Sequence, residues 1–366
     1  MAARPAPLAT RAAANGTCQS RVEPFGYKCE EHTVRKTDNS NVTTADGYIL
    51  SLQRIPGGRG SGQSAAAGNK IPVLLQHGLL MDGVTWLMNS PNESLGYILA
   101  DGGYDVWIAN TRGTVYSRGH TTLSSSDPTY WDWSWDELAS NDLSAVVPYV
   151  YAQSGQQRLH YVGHSLGTLI AFAALSQRQQ LGMLRSAGLL SPIAYLNKVA
   201  SPLALAGADT FLAEALYWLG LDEFDPTGAL LAHAGDNCCL DNSSVQASAT
   251  KNMVHLAQMI RRGTLAKYDY GNAADNTKHY GQATPPAYDV SAIPDDFPLF
   301  LSYGGRDTLS DPQDVSHLLQ VLKSHDGDKL TVQYLEDYAH ADFVFAGNAR
   351  ERVYAPLMAF FKLQDK

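Results

Sequence analysis

The sequence predicts an α/β protein. Its sheet is mostly parallel with helices on both faces, and a helical cap is inserted before the strand that carries a candidate catalytic acid. Three observations lead there. Short continuous apolar runs alternate with helical stretches, the pattern of strands buried on both faces and joined by crossover helices. A Gly-x-Ser-x-Gly pentapeptide, Gly163-His164-Ser165-Leu166-Gly167, sits between an apolar run at 159–162 and a helical stretch at 169–177. That is the strand, tight turn and helix context in which a serine becomes a nucleophile. Finally, residues 193–295 interrupt the alternation without a clear strand.

Taken in order, residues 1–16 read as a disordered, alanine-rich segment. Two β-prone runs, 32–36 and 48–55, flank the turn dipeptide Asp46-Gly47 and read as an antiparallel hairpin. Residues 56–70 are rich in Gly, Ser and Ala and read as a surface loop. The apolar runs 73–75 and 104–109 are buried strands, with a helix at 94–101 between them. A longer helix spans 136–153, bent at Pro148. The strand and helix of the pentapeptide follow, then a strand at 188–190 that ends at Ser191-Pro192. Helices at 203–219 and 252–262 make the interruption an all-helical cap over the carboxyl edge of the sheet, where open α/β sheets bind ligands. Strands at 299–303 and 330–335 and helices at 314–324 and 349–361 complete the chain. The domain reading is a core over 17–192 and 296–366, with the cap at 193–295.

Composition narrows the function. A net charge of -9 and a pI near 5.6 argue against nucleic acid as a partner. No run of 18 apolar residues exists, so no spanning helix is expected. The four cysteines, Cys18, Cys29, Cys238 and Cys239, lack zinc-site spacing, and neither a metal nor a cofactor is expected. Three disulfide connectivities are open, and Cys18 and Cys29 are close enough to close a small loop. Four Asn-x-Ser/Thr acceptors begin at Asn15, Asn41, Asn92 and Asn242 and lean toward secretion. The amino terminus, however, lacks the apolar core of a signal peptide.

A nucleophilic serine needs a base, an acid to orient the base, and an anion site for the transition state. Asp307 follows an apolar strand and His340 follows the next strand, so they share a sheet edge with Ser165, in the chain order Ser, Asp, His. Asp311 and Asp314 fall at a helix start, where Asp is a common cap. His317 and His325 fall in that helix and the loop after it. His164 points away from the serine, as a packing and hydrogen-bonding residue. The oxyanion hole is expected from the backbone amides of Leu166 and Leu79, with Gly78 letting the backbone approach closely. Trp131, Trp133 and Trp135 read as anchors of a loop under the cap, and Arg112 and Asp132 as structural partners.

Several motifs together resemble the acid lipase family, which contains gastric and lysosomal acid lipases and plant triacylglycerol lipases. They are Gln76-His77-Gly78-Leu79-Leu80, Asn110-Thr111-Arg112-Gly113, the tryptophan stretch and the pentapeptide. The plant branch looks nearest, on Gly47-Tyr48-Ile49-Leu50, Ser117-Arg118-Gly119-His120 and Asn252-Met253-Val254-His255. The resemblance runs from about Cys18 to the carboxyl end. It implies an α/β-hydrolase fold with a helical cap and lid, and activity on long-chain esters such as triacylglycerols at a lipid interface. It also implies an extracellular or vacuolar/lysosomal location, and it matches the family's catalytic positions to Ser165, Asp307 and His340. Two departures stand out. Leu166 replaces the Gln of animal members, and the cap looks short around 224–235 and 243–250, where family cysteines are missing.

The leading reading is thus a serine hydrolase of lipid esters. A carboxylesterase on short soluble esters uses the same triad. A third reading, of another class, is a non-catalytic binding protein on the same scaffold with an incomplete cap.

Overall fold

Apolar runs with no polar alternation can bury both faces, and they form the centre of an eight-stranded sheet in the computed structural model. The structure describes residues 16–32, 42–59, 70–155, 157–226 and 245–365. The strands are β1 (Glu30–His32), β2 (Leu52–Ile55), β3 (Pro72–Gln76), β4 (Asp105–Ala109), β5 (Leu159–His164), β6 (Leu184–Leu190), β7 (Leu299–Gly304) and β8 (Leu330–Leu335). Their spatial order is β1-β2-β4-β3-β5-β6-β7-β8. The first two pairings, β1 with β2 and β2 with β4, are antiparallel; all others are parallel.

Two cores lie on the two faces, and the strands divide their side chains between them. Leu74, Trp107 and Tyr161 pack on one face; Val73, Leu75, Val106, Ile108 and Val162 pack on the other. Helix α1 (Leu95–Asp101) covers the second face, together with α9 (Ala355–Gln364) at the chain's end. The first face is covered by α2 (Leu143–Gln153), α3 (Leu166–Ser176) and α8 (Pro312–Val321).

The expected hairpin pairs as β1 with β2, but it differs in two ways. Of the run 32–36 only His32 falls among the described residues, where it closes β1. The run 48–55 splits at Ser51 between two sheets. Tyr48–Leu50 joins a small sheet with Val42–Thr43 and Gly119–His120, whereas Leu52–Ile55 enters the main one. The side chains of Asn110 and Ser117 hold Ser51 at this crossing, on its carbonyl at 3.1 Å and its N–H at 2.9 Å. The helix at 136–153 begins at Trp135 and contains a wider turn, Leu138–Asp142, before α2.

Residues 193–295 hold α4 (Pro202–Asp209), α5 (Leu212–Trp218), α6 (Thr250–Arg262) and α7 (Ala273–Tyr280). The single helix expected over 203–219 is two, broken where Phe211 takes a left-handed φ of 50°. The segment is also not all-helical: Glu223–Phe224 pairs with Ser248–Ala249. Two residues per strand are too few to leave an alternation in the sequence. Several large apolar side chains in and beside α5 are solvent-exposed, Trp218 at 82% and Leu219 at 77%.

Cys18 bonds to Cys29. Cys238 and Cys239 lie outside the described residues, as do the amino-terminal residues 1–15, the loop residues 60–69 and most of the stretch 224–235. Of the four acceptor asparagines only Asn92 is described, and it is exposed. Among the described residues no helix is long and apolar enough to cross a membrane.

Candidate active site

The loops that follow the parallel strands meet at their carboxyl edge. Ser165 stands at the turn from β5 to α3 with φ 55° and ψ -116°, a backbone that L residues rarely adopt. The two glycines make this turn possible. A Cβ on Gly163 would sit 2.7 Å from the backbone of Gly167, and one on Gly167 would sit 2.5 Å from the Gln76 carbonyl. Thr168 fastens the turn from below, its hydroxyl donating to the Ser165 carbonyl at 2.6 Å.

His340 follows β8 and Asp307 follows β7. The structure brings both to Ser165: Ser165 Oγ lies 2.7 Å from His340 Nε2, and His340 Nδ1 lies 2.9 and 3.0 Å from the two Asp307 oxygens. Since a carboxylate only accepts, Nδ1 carries the proton and Nε2 is the free base facing the hydroxyl. Asp307 Oδ1 also accepts the N–H groups of Leu309 and Ser310, at 2.9 and 2.8 Å. Burial pushes the Asp307 carboxyl up. The His340 hydrogen bond and charge, with the two amides, outweigh that and hold it below the usual carboxylate range.

The rival acids and bases go elsewhere. Asp311 caps α8 through Gln313, and Asp314 accepts the N–H of Lys198. His317 packs its edge against Tyr195, and His325 hydrogen-bonds the Phe297 carbonyl. His164 packs its ring 5.1 Å from that of His340, its Nε2 donating to the carbonyl of His340 at 2.9 Å.

The loop after β3 passes close to the serine. A Cβ on Gly78 would come within 3.1 Å of the Ser165 Cβ. Among the described residues, no acceptor engages the backbone N–H of Leu79 or of Leu166. Two donors are thereby left free on either side of the serine. A cavity lined by His77, Gly78, Leu79, Leu166, Ala247 and Asn252 adjoins them, and the Gln246 N–H donates to the Leu80 carbonyl at 2.9 Å. Residues 246–252 therefore lie over this loop.

This arrangement can activate a hydroxyl and stabilise an oxyanion. The model of the partial alpha/beta-hydrolase lipase region matches residues 18–90, and that of the alpha/beta hydrolase fold matches residues 71–346. The chain belongs to the α/β-hydrolase lipases. It is similar to triacylglycerol lipase 2 of Arabidopsis thaliana, with 47% identity over 97% of this chain and 89% of the relative. Its identity to triacylglycerol lipase 1 of the same plant is 41%, over 96% of this chain and 92% of the relative. With gastric triacylglycerol lipase of Rattus norvegicus it is 33%, over 94% and 91%. The plant resemblance is thus the stronger of these, as the motifs implied. The 382 positions aligned with the first relative exceed the 366 residues of this chain, so that relative carries residues missing here. Among solved structures, a soluble variant of monoglyceride lipase from Saccharomyces cerevisiae superposes with a TM-score of 0.57 at 14% identity, over 91% of this chain and 98% of that one. An esterase of Pyrococcus furiosus gives 0.55 at 16%, over 94% and 93%. At these identities both speak for the fold alone.

Around the site of this lipase, the tryptophans and charged residues take structural posts. Trp131, Trp133 and Trp135 are all buried, and Trp135 stacks on His255 of α6 at 4.1 Å. Arg112 pairs with Asp46 and Asp142, and Asp132 pairs with Lys251. The motif reading missed the side-chain role of His77, which locks the loop after β3, and the turn Ser191-Pro192, which touches the His340 loop. His77 was visible in the motif next to Gly78. Ser191 carries no local signal of its backbone state.

Proposed function

We propose that this chain hydrolyses carboxylic esters of lipids, triacylglycerols or related long-chain esters, through an acyl-enzyme on Ser165. The observation that carries the reading is the hydrogen-bonded row from Asp307 through His340 to Ser165 Oγ, with 2.7 Å between base and hydroxyl. The lipase names of the relatives support the substrate class.

Ser165 Oγ attacks the ester carbonyl carbon while His340 Nε2 takes its proton. Asp307 holds the resulting imidazolium in place. The oxyanion sits on the amides of Leu79 and Leu166, one such donor being worth about 3 kcal/mol. Collapse breaks the bond to the alcohol, which leaves with the proton from His340. A water then gives its proton to His340 and attacks the acyl-enzyme carbonyl; collapse breaks the bond to Ser165 Oγ, which takes the proton back from His340 as the acid leaves. Residues 193–295 serve as a cap over this chemistry, and the exposed Trp218 and Leu219 support contact of that cap with a lipid surface. The Cys18–Cys29 disulfide supports an oxidising compartment, extracellular or vacuolar/lysosomal.

The test compares hydrolysis of a long-chain triacylglycerol emulsion with that of a short soluble ester, using Ser165→Ala as the blank. Faster turnover on the emulsion is expected. Activity on the soluble ester alone would replace the lipase reading with a carboxylesterase. Turnover retained by Ser165→Ala would sink the mechanism.

A further inference from the structure

The end of β6 and the turn after it hydrogen-bond the backbones of Ser165 and His340 and reach Asp307 through Ser310. The Leu190 carbonyl accepts the N–H of Ser165 at 3.1 Å. Ser191 Oγ donates to the carbonyl of His340 at 3.3 Å. The Pro192 carbonyl accepts from Ser310 Oγ at 2.8 Å, and the N–H of Ser310 donates to Asp307 Oδ1, also at 2.8 Å.

Ser191 itself is in an unfavourable state. It is fully buried and has a φ of 50°, the left-handed region that favours glycine. Proline at the next position biases it toward extended backbone. Strained backbone of this kind persists only where its surroundings enforce it. Here its N–H is held by the Ser302 carbonyl of β7 at 2.9 Å, and its hydroxyl is aimed at the His340 loop.

A second donor reaches the same carbonyl. His164, the last residue of β5, gives its Nε2–H to His340 O at 2.9 Å. Its other nitrogen is buried and has no partner among the described residues, so this is the ring's one hydrogen bond there. Both lone pairs of the His340 carbonyl are therefore used. The two donors stand on neighbouring strand ends, for His164 pairs in register with Leu190.

We infer that Ser191 and His164 are positioning residues that clamp the backbone carbonyl of His340 and thereby set the distance from the base to Ser165. The inference rests on the serine-hydrolase reading above. The physical need is plain. His340 sits in a loop beyond β8, an edge strand whose Val332 and Tyr334 are exposed. Its ring is oriented by Asp307, but orientation alone does not fix the approach of Nε2 to the hydroxyl. The clamp references the base to the strand that carries the nucleophile and to that strand's neighbour.

The experiment measures kcat and KM on a short soluble ester, with labelling by an active-site phosphonate, for the full chain. The variants are Ser191→Ala, His164→Leu, His164→Gln and the double variant Ser191→Ala/His164→Leu. A misplacement of about 1 Å can cost on the order of 10²-fold. The double variant is therefore expected to lose about that much in kcat and in labelling rate, with KM unchanged, and each single variant less. A Gln amide reaches where Nε2 does, so His164→Gln is expected to recover most of what His164→Leu loses. A double variant with wild-type kcat, a loss confined to KM, or no recovery by Gln would each overturn the clamp. If the double variant does not fold, Ser191→Ala, which removes one oxygen, decides by the same split between kcat and KM. A wild-type chain that the phosphonate does not label at Ser165 would overturn the hydrolase reading and the clamp with it.

Discussion

His77 donates its Nδ1 proton to the carbonyl of Gly78, 2.8 Å away. The tautomer follows from its neighbours: the Gly78 oxygen can only accept, and the N–H of Thr111 donates to Nε2 at 3.1 Å. Burial keeps this ring neutral by pushing it down to about 4. The Gly78 carbonyl and the Leu79 N–H belong to one planar trans peptide, so fixing the first aims the second in the opposite direction. His77→Leu is therefore expected to lose about 10²- to 10³-fold in kcat, the scale of one lost oxyanion donor, with KM little changed. His77→Asn, whose amide can occupy the Nδ1 place, should lose less. Steady-state kinetics on both variants check this. Equal losses in the two would mean that the ring acts by packing alone.

The backbone of Ser165 makes a second, independent prediction. At φ 55° and ψ -116° it carries strain of about 1–3 kcal/mol, which glycine would not feel. Glycine adds about 0.5–1 kcal/mol of chain entropy to be lost on folding. The net should favour Ser165→Gly, which is expected to be inactive and about 1 kcal/mol more stable than the wild type. Ser165→Ala should be inactive without that gain. Urea unfolding of the three proteins decides. A Gly variant no more stable than the Ala variant would mean that the turn is unstrained.

How far the sequence reveals this architecture depends on the kind of signal each part leaves. Strands buried on both faces leave unbroken apolar runs, so β3, β4 and β5 are legible at their centres. The turn at Ser165 is legible because two backbone approaches demand Gly163 and Gly167. Asp307 is legible as a polar residue just past an apolar strand, and His340 as one just past the strand that follows. The crossing at Ser51 is not, because Tyr48–Leu50 and Leu52–Ile55 share one β-prone composition and only tertiary hydrogen bonds part them. The break between α4 and α5 has neither Gly nor Pro to announce it. Ser191 is the sharpest case. A left-handed residue is normally announced by Gly, Asn or Asp, and this one is imposed entirely by its partners.

Arg112 leads to a prediction about stability. Its buried guanidinium donates to Asp142 Oδ1 at 2.7 Å and to the two Asp46 oxygens at 2.6 and 3.0 Å, and it lies 3.8 Å from the Tyr48 ring centroid. Two carboxylates and an aromatic face compensate one charge removed from water. Deleting the cation leaves Asp142 buried without its counter-charge. Arg112→Met is expected to cost about 3–5 kcal/mol, the range for breaking a buried ion pair from one side. Arg112→Lys should also destabilise, because an ammonium cannot span both carboxylates in the fork geometry. Denaturant midpoints measure both. A loss below about 1 kcal/mol for Arg112→Met would show that water reaches Asp142.

Asp82 should make stability depend on pH in a direction opposite to that of the buried histidines. Its Oδ1 caps the turn Gly83–Leu87 by accepting the Val84 N–H at 2.8 Å, while Oδ2 is buried with no partner among the described residues. Burial pushes this carboxyl up to about 7, against the Val84 hydrogen bond and the charge of Arg21, which pull it down. The folded protein therefore holds this proton more tightly than the unfolded chain, where the carboxyl titrates near 3.8. The penalty for ionising Asp82 is absent below 3.8, grows as pH rises and is complete above about 7. His77, pushed down to about 4, and His164 and His255, pushed down to about 3, behave in reverse, each through burial. Their neutral rings favour the fold fully above the ordinary value of 6.5, and that contribution is lost as pH falls toward 4 and then 3. Asp82→Asn keeps the acceptor at Oδ1, removes the charge and sets an amide NH2 where Oδ2 stood, a change that itself does not vary with pH. It is expected to change stability little at pH 4 and to raise it at pH 8 by a few kcal/mol, on the order of 2–4. Urea unfolding of wild type and variant at the two pH values isolates Asp82, because the histidine contributions cancel in the difference. A gain of the same size at both pH values would show that Asp82 keeps one charge state across that range, and the unpartnered oxygen would then have to be solvated.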